Sequence, residues 1–459
     1  MNAITNKGSV TRFIAAVACV GLAASWSPSA SAADQAPDNM IVAANTKASS
    51  ATKASATTAA NQESDLRLAL DKVNLDIDTG KYSEAQDLLN RLKAKYPGNP
   101  DVLLAEANLN QTISGSNHGG LSDMCLPNSL NPNNWDILLR DNLSKGGYAC
   151  AGYNRRITNQ AYEQIENLSG QVALPYPGFA INFDLENDHI NTRQAFTRAN
   201  GIINDFYGNR QQGTVQLVKN FTNVDVGAAT VYGQGNTAGG GLQYVRKDRW
   251  GGTTVMVNYN QPTWDYVETA VEYGTKSNVM IERRQVFSPD LQATLAGGYS
   301  HYALKDLWSA ADAPGWDFNL DYDHPFHFTN QPPDSKSWMN DEVTLGAHYG
   351  VEAQYFTFVG RRTDSAGNPF NPLPTTSYEV HSFTLSAAKA LLPNVNAQAD
   401  GGYAVNRIAG NSGPIYGGSL TYTPLQHLGI DIHASRDLLG GQNLGEKQDI
   451  VGASLKWSW

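Results

Sequence analysis

The residues with the most chemistry to offer are acids. Asp321 and Asp323 stand two apart in "NLDYDHPFHF", followed by His324 and His327. A glycosidase needs two carboxylates, but alternate residues of one strand leave too little room for a sugar between them. Two histidines flanking Pro325 would bind a metal only with further ligands, and no thiol or carboxylate cluster of ligand spacing stands beside them. The sequence contains no HExxH, GxSxG, phosphate-binding GxxxxGK or CxxC motif. No catalytic residue, no metal site and no cofactor is expected.

What the acids share is a side. Asp317, Asp321 and Asp323 alternate with Trp316, Phe318, Leu320 and Tyr322, the period of a strand with one apolar and one polar face. The same division places Asp184, Glu186, Glu268, Glu272, Glu352, Asp400, Asp431 and Asp437 on polar faces of other alternating stretches. Two readings are open. The acids hydrate a polar surface, or they line a conduit whose low-dielectric wall focuses a cation-attracting field. Lys219, Arg246 and Arg283 interrupt the acidic pattern.

The elements that would position these acids are strands. From residue 178 onward, alternating stretches of about ten residues follow one another, separated by Gly, Pro, Asn and Asp clusters. They run from 178–188 and 213–220, through 265–273 and 342–360, to 448–459. A water-soluble sandwich of this many strands would need two inner faces and would tend to split into domains, yet no linker appears between 213 and 459. A barrel with a lipid-facing exterior and a polar lumen needs only one sheet. The fold class expected is a mainly β, antiparallel up-and-down transmembrane barrel. Sixteen strands is the first choice and fourteen the second, with 213–220 running outward and one extra strand within 192–206.

The segments before the barrel differ in composition. Residues 1–32 have the basic, apolar and small-residue pattern of a secretory signal peptide. Cys19 suggests a lipoprotein, but Ala16 stands where leucine is usual. Cleavage removes Lys7 and Arg12 and no acid, moving the net charge from −10 to −12 and arguing against a nucleic-acid partner. Residues 33–64 are a low-complexity linker, too poor in large apolar groups to form a core. Residues 65–113 show two amphipathic helical patterns, and 114–177 read as a helical or irregular connector. In an oxidising compartment Cys125 and Cys150 favour a disulfide, two free thiols being the alternative.

The stretch "GKYSEAQDLLNRLKAKYPGNPDVLLAEANL" resembles a tetratricopeptide repeat, with Gly80, Tyr82, Ala85, Leu89 and Pro97 at that motif's spacing. One and a half repeats cannot bury their own apolar face. The end, "VGASLKWSW", resembles the C-terminal strand of bacterial outer-membrane proteins, in which a final aromatic residue, here Trp459, is read by the barrel-assembly machinery. "FSPDLQATLAGGYSHYAL", "NPFNPLPTTSYEVHSFTLS", "GGYAVNR" and "GPIYGGSLTYTP" resemble the Pel exopolysaccharide export porins. The resemblance covers 213–459 well and 65–110 weakly. It implies a sixteen-stranded outer-membrane porin that passes a secreted, partly cationic amino-sugar polysaccharide. The helical segment would face the periplasm and its secretion proteins. The family's long repeat array is nearly missing here, so a separate chain could carry it. Two rivals remain: a repeat-bearing adaptor anchored by a non-conducting barrel, and a lipid-modifying enzyme.

Parity places the loop 361–375, "RRTDSAGNPFNPLPT", on the outer side. Phe370 and Leu373 are expected to fold over the lumen as a gate, Pro369, Pro372 and Pro374 restricting the loop. The alternative is a surface loop packed on its neighbours. The segment 325–341 falls on the periplasmic side, as a docking surface or a sign of a miscounted strand.

Overall fold

The computed structural model describes most of residues 65–109, Cys125, and 147–459 apart from 175–178, 222–224, 249, 328–341, 393, 426 and 439–446. The expected signal peptide and linker, most of the connector and the 328–341 loop lie outside the described residues.

Strands β1 (Gly147–Ile157), β2 (Ala161–Ala173), β3 (Phe179–Thr192), β4 (Tyr207–Asn220), β5 (Asp225–Gln234), β6 (Thr237–Asp248), β7 (Gly251–Pro262) and β8 (Thr275–Ser288) form one half of a barrel. The other half is β9 (Leu291–Leu304), β10 (Leu307–His327), β11 (Glu342–Gln354), β12 (Tyr378–Leu392), β13 (Val395–Asn406), β14 (Ser412–Leu425), β15 (Leu428–Leu438) and β16 (Lys447–Ser458). Each strand pairs antiparallel with the next. β1 pairs with β16 from Tyr148↔Ser458 to Ile157↔Asp449, closing a sixteen-stranded barrel. The seam is finished by the backbone of Trp459, whose N–H donates to Gly147 O at 3.0 Å while Gly147 N–H donates to Trp459 O at 3.1 Å. A two-residue strand, Phe358–Val359, adds to β10 beyond the end of β11.

Alternation decides which way each side chain points. On β15 and β16, Ile432, Val451, Leu455 and Trp457 are exposed while Asp431, His433, Ile450 and Ser454 are buried. The outer face carries a continuous apolar band: Leu185, Val255, Val257, Ile281, Leu295, Leu385 and Leu420 are all exposed. Aromatic residues border it, with Trp457, Tyr422, Phe287 and Trp250 toward the Trp459 end and Tyr153, Tyr416, Tyr403 and Tyr299 toward the other. A band of this kind is costly in water and matches a bilayer's hydrocarbon. No helix among the described residues is long and apolar enough to cross a membrane.

The observed strands correct five expectations. Residues 147–173 are β1 and β2 rather than a helical or irregular connector. Their period of two is weak because both faces are mixed: Ile165 points inward beside Glu163 and Asn167, while Glu166 and Leu168 point outward. The stretch 265–273 is no strand but a loop holding the helix Val267–Val271. Val267, Ala270 and Val271 stand at i, i+3 and i+4, all buried, and that helical spacing prevails over the alternation. Residues 192–206 add no barrel strand, only a small hairpin pairing Phe196–Thr197 with Ile203–Asn204. The strand containing 213–220 therefore runs toward the Trp459 end, since Lys219 pairs with Phe179 at the start of β3. The stretch 342–360 ends as a barrel strand at Gln354.

Before the barrel, the helix Tyr82–Lys95 ends in a turn with Gly98 at φ 71°. Asn99 caps the following helical residues, its Oδ1 accepting from the N–H of Asp101 at 2.9 Å and of Val102 at 3.3 Å. Val73, Ile77, Ala85, Leu89, Leu92, Val102, Ala105 and Leu109 are buried.

Candidate functional site: an acid-lined lumen under a capped mouth

The inner face brings together most of the acids picked out by alternation. Asp184 and Glu186 lie on β3, Asp317, Asp321 and Asp323 on β10, Glu352 on β11, Asp400 on β13, and Asp431 and Asp437 on β15. Asp317 stands directly opposite Glu352 across the β10–β11 ladder, a pairing of like charges that costs stability in an ordinary sheet. Tyr378 Oη donates to Glu352 Oε1 at 2.6 Å. Glu268 and Glu272 leave the wall: both lie on the β7–β8 loop, and Glu272 is paired with Arg198.

Alternation could also have found Asp188, two residues beyond Glu186 on the same face, and Glu282, between outward Ile281 and Arg283. Glu163 and Arg156, which form a buried ion pair, were hidden with β1 and β2. The three bases that interrupted the acidic pattern face outward. Lys219 lies over the Phe179 and Phe221 rings, Arg246 is exposed, and Arg283 pairs with Asp248. Among the described residues, the basic groups of the inner face, Arg156, Arg210, Lys247, Lys276, Arg284 and Lys456, are fewer than its acids.

Polar side chains brace the wall across an intervening strand. Asp431 Oδ2 lies 2.7 Å from His433 Nδ1, and His433 Nε2 on β15 lies 2.8 Å from Asn154 Oδ1 on β1. That second bond passes over β16 at Gly452, where a Cβ would fall on Asn154 and 2.6 Å from His433 Nε2. Tyr232 Oη on β5 donates to Asn258 Oδ1 on β7 at 2.9 Å, passing over Gly241 of β6. Gln354 Nε2 on β11 donates to Tyr302 Oη on β9 at 3.0 Å, spanning β10.

One group has the connectivity of an acyl-transfer triad. Ser386 Oγ lies 2.9 Å from His348 Nε2, and His348 Nδ1 lies 3.2 Å from Asp321 Oδ1. A hydrolase also needs donors around the developing oxyanion. Here carboxylates flank the serine instead: Asp323 Oδ1 is 3.5 Å from His348 Nε2, and Asp400 stands opposite Ser386 in the ladder. The arrangement is a wall network and would repel an oxyanion. Among the described residues, no group of three or more His, Cys, Asp or Glu side chains could hold a metal ion.

Cys125 and Cys150 are joined, with their Cα atoms 5.8 Å apart. Cys150 points inward and is 1% exposed. Asn167 Nδ2, on the inner face of β2, donates to Cys125 O at 3.0 Å. The bond therefore fixes Cys125 to the inner wall near the Trp459 end of the barrel, where Cys150 faces Lys456 of β16.

Three loops meet at the end opposite Trp459. The helix Val267–Val271, with Trp264, packs against Ala161 and Ile190 of the inner wall and against Phe196 and Phe206. Leu373 is fully buried in a cluster with Ala199, Tyr266, Tyr302 and Leu304. Phe370 is only half-buried, in a small hairpin opposite Arg362. Arg362 Nη1 donates to Ala199 O at 3.0 Å, joining the β11–β12 loop to the β3–β4 loop. Those loops spring from points eight strands apart in a ring of sixteen, so their contact spans the mouth. Between them Asp265 is paired with Lys276 at 2.9 Å and accepts from Tyr302 Oη at 2.9 Å. Burial would raise the Asp265 carboxyl, but the Lys276 ammonium and the hydrogen bonds outweigh it and hold it below the usual carboxylate range.

No family model and no curated protein matches the chain. Among solved structures it is similar to a bacterial polysaccharide outer membrane secretin at 6% identity and TM-score 0.48, covering 69% of this chain and 99% of that one. It is also similar to the CymD monoaromatic hydrocarbon channel at 10% identity and TM-score 0.38, covering 76% and 97%. A Pseudomonas aeruginosa FadL homologue matches at 12% identity and TM-score 0.35, covering 75% and 98%. Similarity at this level assigns no function.

Proposed function

We propose that the chain is an outer-membrane channel that exports a polysaccharide of the Pel type, an amino-sugar polymer carrying positive charge. The observation that carries this reading is the acid-lined inner face within a closed barrel banded by apolar residues. An extended cationic polymer meets carboxylates on β3, β10, β11, β13 and β15, and a conduit needs no catalytic group. The Trp459 end faces the periplasm, where the barrel-assembly machinery would read the final strand. The helices of 65–109 would dock there on secretion proteins, including a separate chain that supplies further repeats. The three-loop cap, with Leu373 at its centre and Phe370 at its edge, is the outer gate.

Single-channel recording in planar bilayers tests the reading. Removing 363–373 takes away Leu373 and should open a cation-selective pore, with heat-modifiable gel migration unchanged. A folded barrel that stays closed without the cap would instead make it a non-conducting anchor for an adaptor.

A further inference from the structure

The β7–β8 helix is held against the wall by Arg210 of β4. Arg210 Nε donates to Ala270 O at 3.1 Å and its Nη2 to Val271 O, so the guanidinium caps the carbonyl end of Val267–Val271. The same group stacks on the rings of Phe206 and Tyr273, 4.4 and 4.1 Å from their centroids. Directly opposite Arg210 in the β3–β4 ladder stands Asp188. Asp188 is fully buried, yet neither carboxylate oxygen has a hydrogen-bond partner. Arg156 does not complete it, being paired with Glu163. An arginine that could satisfy a buried carboxylate beside it is thus turned away, toward two backbone carbonyls of a loop that starts three strands further round the barrel.

We infer that Arg210 is a two-position latch: on the carbonyls of the β7–β8 helix it holds the cap closed, and on Asp188 it releases the helix. Each position satisfies one demand and leaves the other open. A buried carboxylate without a donor costs about as much as a lost charge-assisted hydrogen bond, and so do helix carbonyls stripped of their cap. Two states of similar cost are what a gate requires. The inference rests on the lumen being the export path, but the latch itself can be read without any conduction.

Ala270 is fully buried, so a membrane-impermeant maleimide reaches an Ala270→Cys thiol only when the helix lifts. The two native cysteines of the described barrel are bonded to each other and stay silent. Asp188→Asn removes the releasing partner and should slow labelling about tenfold, equivalent to roughly 1.4 kcal/mol. Arg210→Ala should speed it by a similar factor, and Arg210→Lys, which keeps the charge but loses the planar fork and its stacking on the two rings, should fall between. Gel mobility before and after heating verifies folding of each variant. Unchanged or faster labelling in Asp188→Asn would overturn the latch. Failure of the export reading would show differently, as absence of current from the barrel lacking 363–373 whatever the labelling rates.

Discussion

Gly452 offers the sharpest test of the wall's construction. It lies on β16 between His433 of β15 and Asn154 of β1, whose side chains bond over it at 2.8 Å. A methyl group there would fall on Asn154 and 2.6 Å from His433 Nε2, and both residues are almost fully buried. Gly452→Ala must therefore force apart a pair of polar groups that have no water to turn to. At about 1–3 kcal/mol for a buried polar group left unsatisfied, the loss should be roughly 2–4 kcal/mol. The expected observable is a clear drop in the temperature at which the folded band disappears on gels, and in the urea midpoint in lipid vesicles. Asn154→Gly in the same chain removes the clash, so the double variant should lose less than the two singles together, with a coupling of about 1 kcal/mol or more. Gly401→Ala is the control: its Cβ would meet nothing within 4 Å, and Ala costs less backbone entropy than Gly in a strand. If Gly452→Ala melts with the wild type, or if the cycle is additive, the brace contributes nothing and the argument fails.

Further outcomes follow from the same geometry. Asp317→Asn with Glu352→Gln should bring the reversal potential of the uncapped pore in a KCl gradient toward zero; an unchanged potential would mean that this opposed pair does not set selectivity. Cys125→Ser with Cys150→Ser should lower stability by about 3 kcal/mol, the entropy of a loop of this size, and thiol labelling of denatured, unreduced wild-type protein should find neither cysteine. The Asp265 carboxyl is depressed by Lys276 and its hydrogen bonds. Such a group adds stability above its unfolded value and loses it as pH falls through the lower folded one. Protease accessibility of the 263–274 loop should thus stay constant around neutrality and rise only below the unperturbed carboxylate value of 3.8.

How much was legible depended on how cleanly each strand separates its faces. On β10, apolar and polar residues alternate without exception from Trp316 to Asp323, and the strand and its lumen acids were plain. β1 and β2 escaped because their inner face mixes Cys150, Ile165 and Ala161 with Asn154 and Glu163. The polar wall near the mouth turns apolar where the cap packs on it, and that packing is invisible one strand at a time. The β7–β8 loop failed the opposite way: Val267, Glu268, Val271 and Glu272 satisfy both periods, and only the partners Ile190 and Arg210 decide for the helix. Leu373 was readable as an apolar residue in a proline-rich loop, whereas its partners Ala199 and Tyr302 come from distant segments.

The braces over Gly241, Gly452 and β10 have a mechanical consequence. Backbone ladders join each strand to its neighbour and allow a sheet to shear or coil. A side-chain bond that skips one strand ties every second stave, as a hoop does, and resists a change of circumference. These ties sit at three separated places round the ring, β5–β7, β9–β11 and β15–β1. The bore is therefore of fixed gauge. On the export reading proposed above, the polymer must fit that gauge as it stands, and control of flow falls to the loops.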